Sequence, residues 1–318
     1  MTTARSQLIS VNATPYYHCV SRCVRRSFLC GYDALTQTSY EHRRGWVENR
    51  LKQVAGVFCI DICAYAIMSN HYHVVLHINE ARANQLSDLE VIERWLILHR
   101  PPVLIQRFVS GETSSETEQK ACLAMIQSWR ERLCSISWFM RLLNQFIAIE
   151  ANREDDCTGH FWEGRFKSQA LLDEKALAAA MAYVDLNPVR AGIADTPESS
   201  DFTSVKSRIQ SIRKGEVTAP SLFPFAGHPR SEMPEGLPFC LSDYLELVDW
   251  TGRHLKENPS EYVQSRQPPI LERLGFGTQI WLNTCTQIEK GPLIGTTIAI
   301  QFALPHLKRQ RRIGLQIP

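Results

Sequence analysis

VFCIDICAYAIMSNHYHVVLHIN, residues 57–79, is the stretch that decides the fold. Two apolar runs are broken at Ser69 and Asn70, residues that suit a tight turn, so the segment reads as a β-hairpin. Its second arm carries two histidines around one aromatic residue, His71-Tyr72-His73. On a strand, residues two apart project from the same face with Cα atoms ~6.5–7 Å apart, so both imidazoles can converge on one ion while Tyr72 points to the opposite face. His77 shares that parity but lies ~13 Å beyond His73 at the same rise, and is expected to pack or face solvent. Imidazole suits manganese, zinc, nickel or iron better than magnesium, unless a carboxylate or phosphate oxygen compensates. A pair of strand histidines also has a bland reading, two hydrogen-bonded rings and no metal. A third ligand decides between them.

Outward from the hairpin, YYHCVSRC (16–23) alternates β-favouring and small residues and predicts a strand, and residues 36–54 have helical character. Residues 84–99 read as helix until Pro101 and Pro102, and SGETSSETEQ (110–119) as a polar surface loop. Residues 120–153 return to helical periodicity, with Trp138, Leu142, Phe146 and Ile149 at three- and four-residue spacings. GRFKSQALL (164–172) predicts another strand, and Asp173 is placed to cap the alanine-rich helix EKALAAAMAYVDL (174–186). Strand, helix, hairpin, helix, strand, helix is the order of a ferredoxin-like α+β fold, an antiparallel sheet with helices on one face. The first domain is expected to span residues 1–194. Residues 195–318 form an extension of unassigned role, a candidate for DNA or partner binding. It has a proline-rich connector over 220–238 and an amphipathic helix at LSDYLELVDWTGRHL (241–255), and is expected to be mainly helical.

The chain has 318 residues, 44% hydrophobic and 21% charged, which excludes a disordered or fibrous class. Its N-terminus has no apolar stretch suited to a signal peptide, and no run approaches the ~18 apolar residues of a membrane span, so a cytoplasmic protein is expected. The ten cysteines show no CxxC pair and read as small buried thiols, a zinc site from Cys19, Cys23 and Cys30 being the less economical reading. A net charge of +2 does not announce a nucleic-acid binder. Local clusters do better: Arg22, Arg25 and Arg26 after the first strand, Arg165 and Lys167 in GRFK, and Lys308, Arg309, Arg311 and Arg312 near the C-terminus. Such runs are more often solvated faces than binding sites.

AMAYVDLNPVRAG (180–192) supplies further candidates. Tyr183 and Asn187 stand four apart and on a continuous helix share a face, although Pro188 disfavours helical geometry at Asn187. A phenol is a weak nucleophile at neutral pH, but beside a metal it can attack phosphorus, and the asparagine amide oxygen can complete a metal site.

YYHCVSRCVRRSFL, AYAIMSNHYHVVLHI, GHFWEGRFKSQAL and AYVDLNPVRAG, in that order, resemble the REP-associated tyrosine transposases. These are relatives of the single-strand insertion-sequence transposases within the HUH (histidine–hydrophobic–histidine) endonucleases. The resemblance covers roughly residues 14–194. It implies that His71 and His73 are the metal histidines, Tyr183 the catalytic tyrosine and Asn187 the polar residue one turn later that assists the metal. It implies a ferredoxin-like fold, Mg²⁺ or Mn²⁺ as cofactor, single-stranded DNA with palindromic hairpins as partner, and often a homodimer. Cleavage and rejoining would pass through a 5′-phosphotyrosine, and no nucleotide cofactor is called for, in keeping with the lack of a GxxxxGK[ST] loop. Arg22, Arg25, Arg26, Arg165, Lys167 and Arg190 are then candidates to follow phosphates, and Phe161, Trp162 and Phe166 to stack bases unless they are core. The segment between the hairpin and Ser135 is longer than a compact member needs, and the region after 194 is an extension, so the DNA sequence read and the dimer are left open. Two alternatives stand beside this reading: a sequence-specific DNA-binding protein or repressor that has lost cleavage, and a metal-dependent phosphohydrolase using the histidine pair and water.

Overall fold

The computed structural model describes residues 4–24, 29–113, 115–216, 218–227, 235–256, 266–308 and 314–318. Strand β1 (Tyr16–Arg22) is followed by a short ribbon, β2 (Tyr32–Asp33) and β3 (Thr38–Ser39), then helix α1 (Arg43–Val57) and the hairpin β4 (Ile60–Ile67) and β5 (His71–Ile78). Helices α2 (Glu80–Gln85), α3 (Asp88–Leu96), α4 (Val103–Val109) and α5 (Glu116–Leu133) precede the long helix α6 (Ile136–Glu154). Strand β6 (Lys167–Leu171), α7 (Glu174–Asp185) and the single turn α8 (Asn187–Arg190) close the segment to which the resemblance applies. Beyond it come α9 (Ser204–Arg213), α10 (Leu241–Lys256), α11 (Pro269–Arg273), α12 (Thr278–Gln287), β7 (Leu293–Thr296), α13 (Thr297–His306) and β8 (Leu315–Ile317).

One six-stranded sheet runs β4-β5-β1-β6-β7-β8. Its first four strands are mutually antiparallel, in the order expected of a ferredoxin-like βαββαβ unit, and β7 and β8 extend it in parallel. The fold is thus α+β, with a helical C-terminal region that also returns two strands to the sheet. No helix among the described residues is long and apolar enough to cross a membrane.

The pleat divides the core into two. Tyr17, Cys19, Tyr72, Val74 and Leu76 face one side with Leu51 of α1 and Phe139 and Leu143 of α6. Val75, Ala64 and Ala66 face the other, against α7. Helices α2 to α5 join α1 and α6 on the first side, and α7 stands on the second. Helix α7, buried at every position from Ala176 to Asp185, lies between the sheet and α10 and α12. Its alanines permit that close approach on both sides.

Several element boundaries differ from the sequence reading for local reasons. Residues 36–42 are not helical: the Asp33 carboxylate accepts from the Leu35 N–H and the Thr36 hydroxyl, and Gln37 takes φ 58°, closing a turn before α1. Helix 84–99 is two helices, because Ser87 and Glu90 form a capping box that starts α3 afresh. The loop at 110–119 ends early, where Ser115 caps α5, and the run 120–153 splits at Cys134, where Ser135 caps α6. Residues 228–234 of the expected connector lie outside the described residues.

Candidate active site

Strand register assembles the site. Across β1 and β5, Arg22 stands opposite His71 and Val20 opposite His73; across β1 and β6, His18 stands opposite Gln169. Directly opposed residues share a face, so His71, His73, His18 and Gln169 all point toward α7. Tyr72 points the other way into the core, where its hydroxyl donates to Asn144 Oδ1 at 2.6 Å. His77 packs as expected, stacked on Phe223 and bonded to Asp61.

Helix α7 brings Tyr183 onto this face, its ring centroid 5.6 Å from that of His73 and 6.1 Å from that of His18. The helix breaks at Leu186 before Pro188, but Leu186 N–H still bonds to Ala182 and Arg190 N–H to Leu186. The turn therefore carries on, and Asn187 Nδ2 lies 3.2 Å from His73 Nε2. Arg190 from the same turn lays its guanidinium 4.4 Å over the Tyr183 ring. His71 sits edge-on to His73 with centroids 4.8 Å apart, its Nδ1 held by Asn70.

One more side chain arrives from a loop far along the chain. Glu289, on the loop between α12 and β7, accepts a 2.7 Å hydrogen bond from the Tyr183 hydroxyl and lies 3.7 Å from His73 Nε2. Burial and this carboxylate push the Tyr183 phenol up to about 12, against a smaller pull from Arg190. Burial drives His73 well below its ordinary value, helped by His18, His71 and the nearby arginines. His71 falls to about 4 from burial and then from Arg22, and His18 is lowered by burial. All three rings are thus neutral near pH 7.

The hydrogen-bond chain behind His73 determines its tautomer. Gln169 Nε2 faces the carbonyl oxygens of Ile288 and Gly291, which can only accept, so Gln169 Oε1 is the atom 2.7 Å from His18 Nδ1. His18 must then donate from Nδ1, and its neutral ring offers a lone pair at Nε2. That atom is 3.0 Å from His73 Nδ1, which donates to it. His73 consequently turns an unprotonated Nε2 toward Asn187 and Glu289, and it accepts from Asn187 Nδ2.

Among the described residues no three His, Cys, Asp or Glu side chains form a group that could hold a metal ion. With the asparagine amide counted, the donor chemistry fits a divalent cation that would take the place of the Asn187 N–H at His73 Nε2 and be met by the amide oxygen, the Glu289 carboxylate and the second imidazole. Orienting such a histidine through its other nitrogen is the usual second layer of a metal site.

The basic residues divide. Arg22 and Arg190 adjoin the histidines and the tyrosine. Arg165 and Lys167, both exposed, line a cavity of about 550 Å³ with Arg5, and it reaches Gln169 and Glu289. Arg25, Arg26, Arg309, Arg311 and Arg312 lie outside the described residues. The expected base-stacking aromatics are mostly core: Phe161 is buried, Phe166 lies under the Arg5 guanidinium, and Trp162 packs on Tyr72 and donates to Asn144 O. An apolar ring at a strand end is drawn inward unless something holds it out.

His18, Gln169 and Glu289 were not among the expected site residues. The register between strands, which parity within one strand does not give, places the first two on the His73 face. Glu289 sits in a polar loop whose sequence carries no recognisable signal.

No family model matches the sequence, and no curated protein matches it. Among solved structures, one of a REP-associated tyrosine transposase bound to a REP hairpin aligns with 13% identity and a TM-score of 0.36, over 74% of this chain and 97% of that one. This is a distant structural similarity, and the functional reading rests on the residues of the site.

Proposed function

We propose that the chain cleaves and rejoins single-stranded DNA beside palindromic hairpins, using Tyr183 as nucleophile and a divalent cation, Mg²⁺ or Mn²⁺. The observation that carries this reading is the meeting of the Tyr183 hydroxyl, the unprotonated His73 Nε2 and the Asn187 amide, from a strand and a helix more than a hundred residues apart in sequence. Elsewhere in the core Tyr72 donates to Asn144 and Tyr244 to Asp185. The Tyr183 hydroxyl is aimed at a carboxylate beside two imidazoles, with two arginines close by.

His73, Asn187 and His71, joined by Glu289, would hold the cation, which when bound supplies positive charge to a phosphate oxygen. Arg190 and Arg22 orient the phosphodiester. Glu289 accepts the Tyr183 proton as the phenolic oxygen attacks phosphorus. The P–O3′ bond breaks, leaving a 5′-phosphotyrosyl link and a 3′-hydroxyl that has taken up a proton. Attack of a 3′-hydroxyl on that link restores a phosphodiester and returns the proton to Tyr183, with no net hydrolysis.

One observation favours the alternative of DNA binding without cleavage. The Tyr183 hydroxyl is already bonded to Glu289 and its pKa is raised, which makes it a poor nucleophile in the metal-free protein. The two readings separate in one assay. Labelled hairpin oligonucleotides with single-stranded flanks are incubated with Mn²⁺ and resolved under denaturing conditions. The transferase reading expects a covalent protein–DNA band that vanishes in Tyr183→Phe. Binding with no band in the wild-type protein supports the alternative, and a band that survives Tyr183→Phe removes Tyr183 as nucleophile.

A further inference from the structure

A cavity roomier than the one beside Glu289 lies elsewhere among the described residues. It is a groove of about 1030 Å³ bounded by α1, the end of α3, α5 and α6, on the Tyr72 side of the sheet. It thus belongs to the opposite face from His73, and much of it is built by the long segment between β5 and α6. Four arginines line it, Arg50, Arg100, Arg132 and Arg141, and no acidic side chain does.

Neighbouring arginines on these elements are neutralised: Arg130 pairs with Asp88, Arg153 with Glu150 and Arg107 with Glu118. None of the four groove arginines makes an ion pair with a carboxylate among the described residues. Three are laid instead on rings, Arg132 and Arg141 at 4.4 and 4.8 Å from the Trp138 centroid and Arg50 at 4.8 Å from that of Phe146. Arg50 Nε is buried with no hydrogen-bond partner. The floor continues in planar groups, with His99 stacked on Trp95 at 3.9 Å and Trp129 stacked behind it.

We infer that this groove is a second nucleic-acid site, one that holds a single-stranded segment away from the reactive tyrosine. Unpaired guanidinium groups supply charge for phosphates, and a guanidinium resting on an aromatic ring offers a flat face on which a base stacks. A duplex stem hides its base faces, and a carboxylate brings charge but no flat ring to lay against this floor. Single strands, whose bases can splay outward, match both features. The inference shares its ligand class with the proposed function but does not require that Tyr183 react.

The test uses full-length Tyr183→Phe protein without metal, so that cleavage plays no part, and a fluorescent oligothymidylate as probe. Replacing Arg132 and Arg141 together by Gln is expected to weaken binding ~10-fold or more, and to flatten the logarithmic salt dependence by ~1.4, two single-strand phosphate contacts. Trp138→Leu is expected to weaken it at least ~5-fold with the salt slope unchanged, the signature of lost stacking. Both substitutions are at partly or fully exposed positions, and unchanged circular dichroism and Tm would show that the variants fold. Affinity and salt slope unaffected in both variants would overturn the inference, as would equal competition by a blunt duplex or by an acidic peptide. Failure of the Tyr183 adduct assay with these losses intact would dismiss the transferase reading and leave the groove standing.

Discussion

Gln169→Leu isolates the tautomer chain behind His73. Leucine is close to glutamine in size but removes the acceptor for His18 Nδ1–H and the donor to the Ile288 and Gly291 carbonyls. An unpaired N–H on the fully buried His18 ring costs roughly 1–3 kcal/mol, enough to drive the ring to its other tautomer. His18 Nε2 then carries the proton and donates to His73 Nδ1, which forces the His73 proton onto Nε2, the atom facing Asn187 and Glu289. A cation binding there must reverse both shifts. Loss of such second-layer partners typically weakens metal binding 10- to 100-fold, or ~1.4–2.7 kcal/mol. Mn²⁺ titration by calorimetry measures the affinity, and long-range ¹⁵N–¹H spectra of the metal-free protein report which ring nitrogens carry protons. Gln169→Glu keeps the acceptor for His18 while losing both donors to the loop, so it should retain more Mn²⁺ affinity than Gln169→Leu. The reasoning fails if Gln169→Leu binds Mn²⁺ within about twofold of wild type, against the usual second-layer loss. It fails equally if wild-type His73 carries its proton on Nε2.

Two further outcomes follow from buried groups. His71 falls to about 4 in the folded chain, against ~6.5 unfolded, so between those values the unfolded chain binds a proton that the folded one refuses. Stability should therefore decline as pH drops from ~6.5 to ~4, by at most ~3 kcal/mol from this ring, with His18 and His73 adding in the same direction. Urea unfolding of wild type and His71→Gln checks this: the variant should lose less on acidification, and parallel curves would contradict it. Asp185, fully buried at the end of α7, accepts hydrogen bonds from the Ser204 hydroxyl, the Val205 N–H and the Tyr244 hydroxyl, and stands near the buried Arg208. Asp185→Ala strands these donors and that charge, and a loss of ~3–5 kcal/mol in chemical denaturation is expected. A loss under ~1 kcal/mol would mean that the network does not bind α9 and α10 to α7.

Local pattern made the antiparallel part of the sheet legible. Alternation located β1, two apolar runs broken at Ser69-Asn70 gave the hairpin of β4 and β5, GRFKSQALL gave β6, and Asp173 marked the start of α7. The two-residue period also put His71 and His73 on one face and Tyr72 on the other. Boundaries governed by caps were misplaced, because Ser87, Ser115 and Ser135 interrupt helical periodicity without altering its composition. The aromatic residues of the 161–166 segment were left open between stacking and core for a different reason: hydrophobicity alone does not say whether a ring finds a core to enter.

By itself the sequence determined which residues share a strand face and which stand one helical turn apart, since both are properties of a few neighbouring residues and the backbone period. Only the tertiary structure decided that the Tyr183 turn meets the His73 strand, that His18 and Gln169 lie behind that histidine, and that Glu289 reaches the phenol across more than a hundred residues of chain. Those contacts depend on how the sheet closes with β7 beside β6 and how α7 is gripped between sheet and C-terminal helices. Such packing is set by the burial of all the apolar faces at once, and no local stretch encodes it.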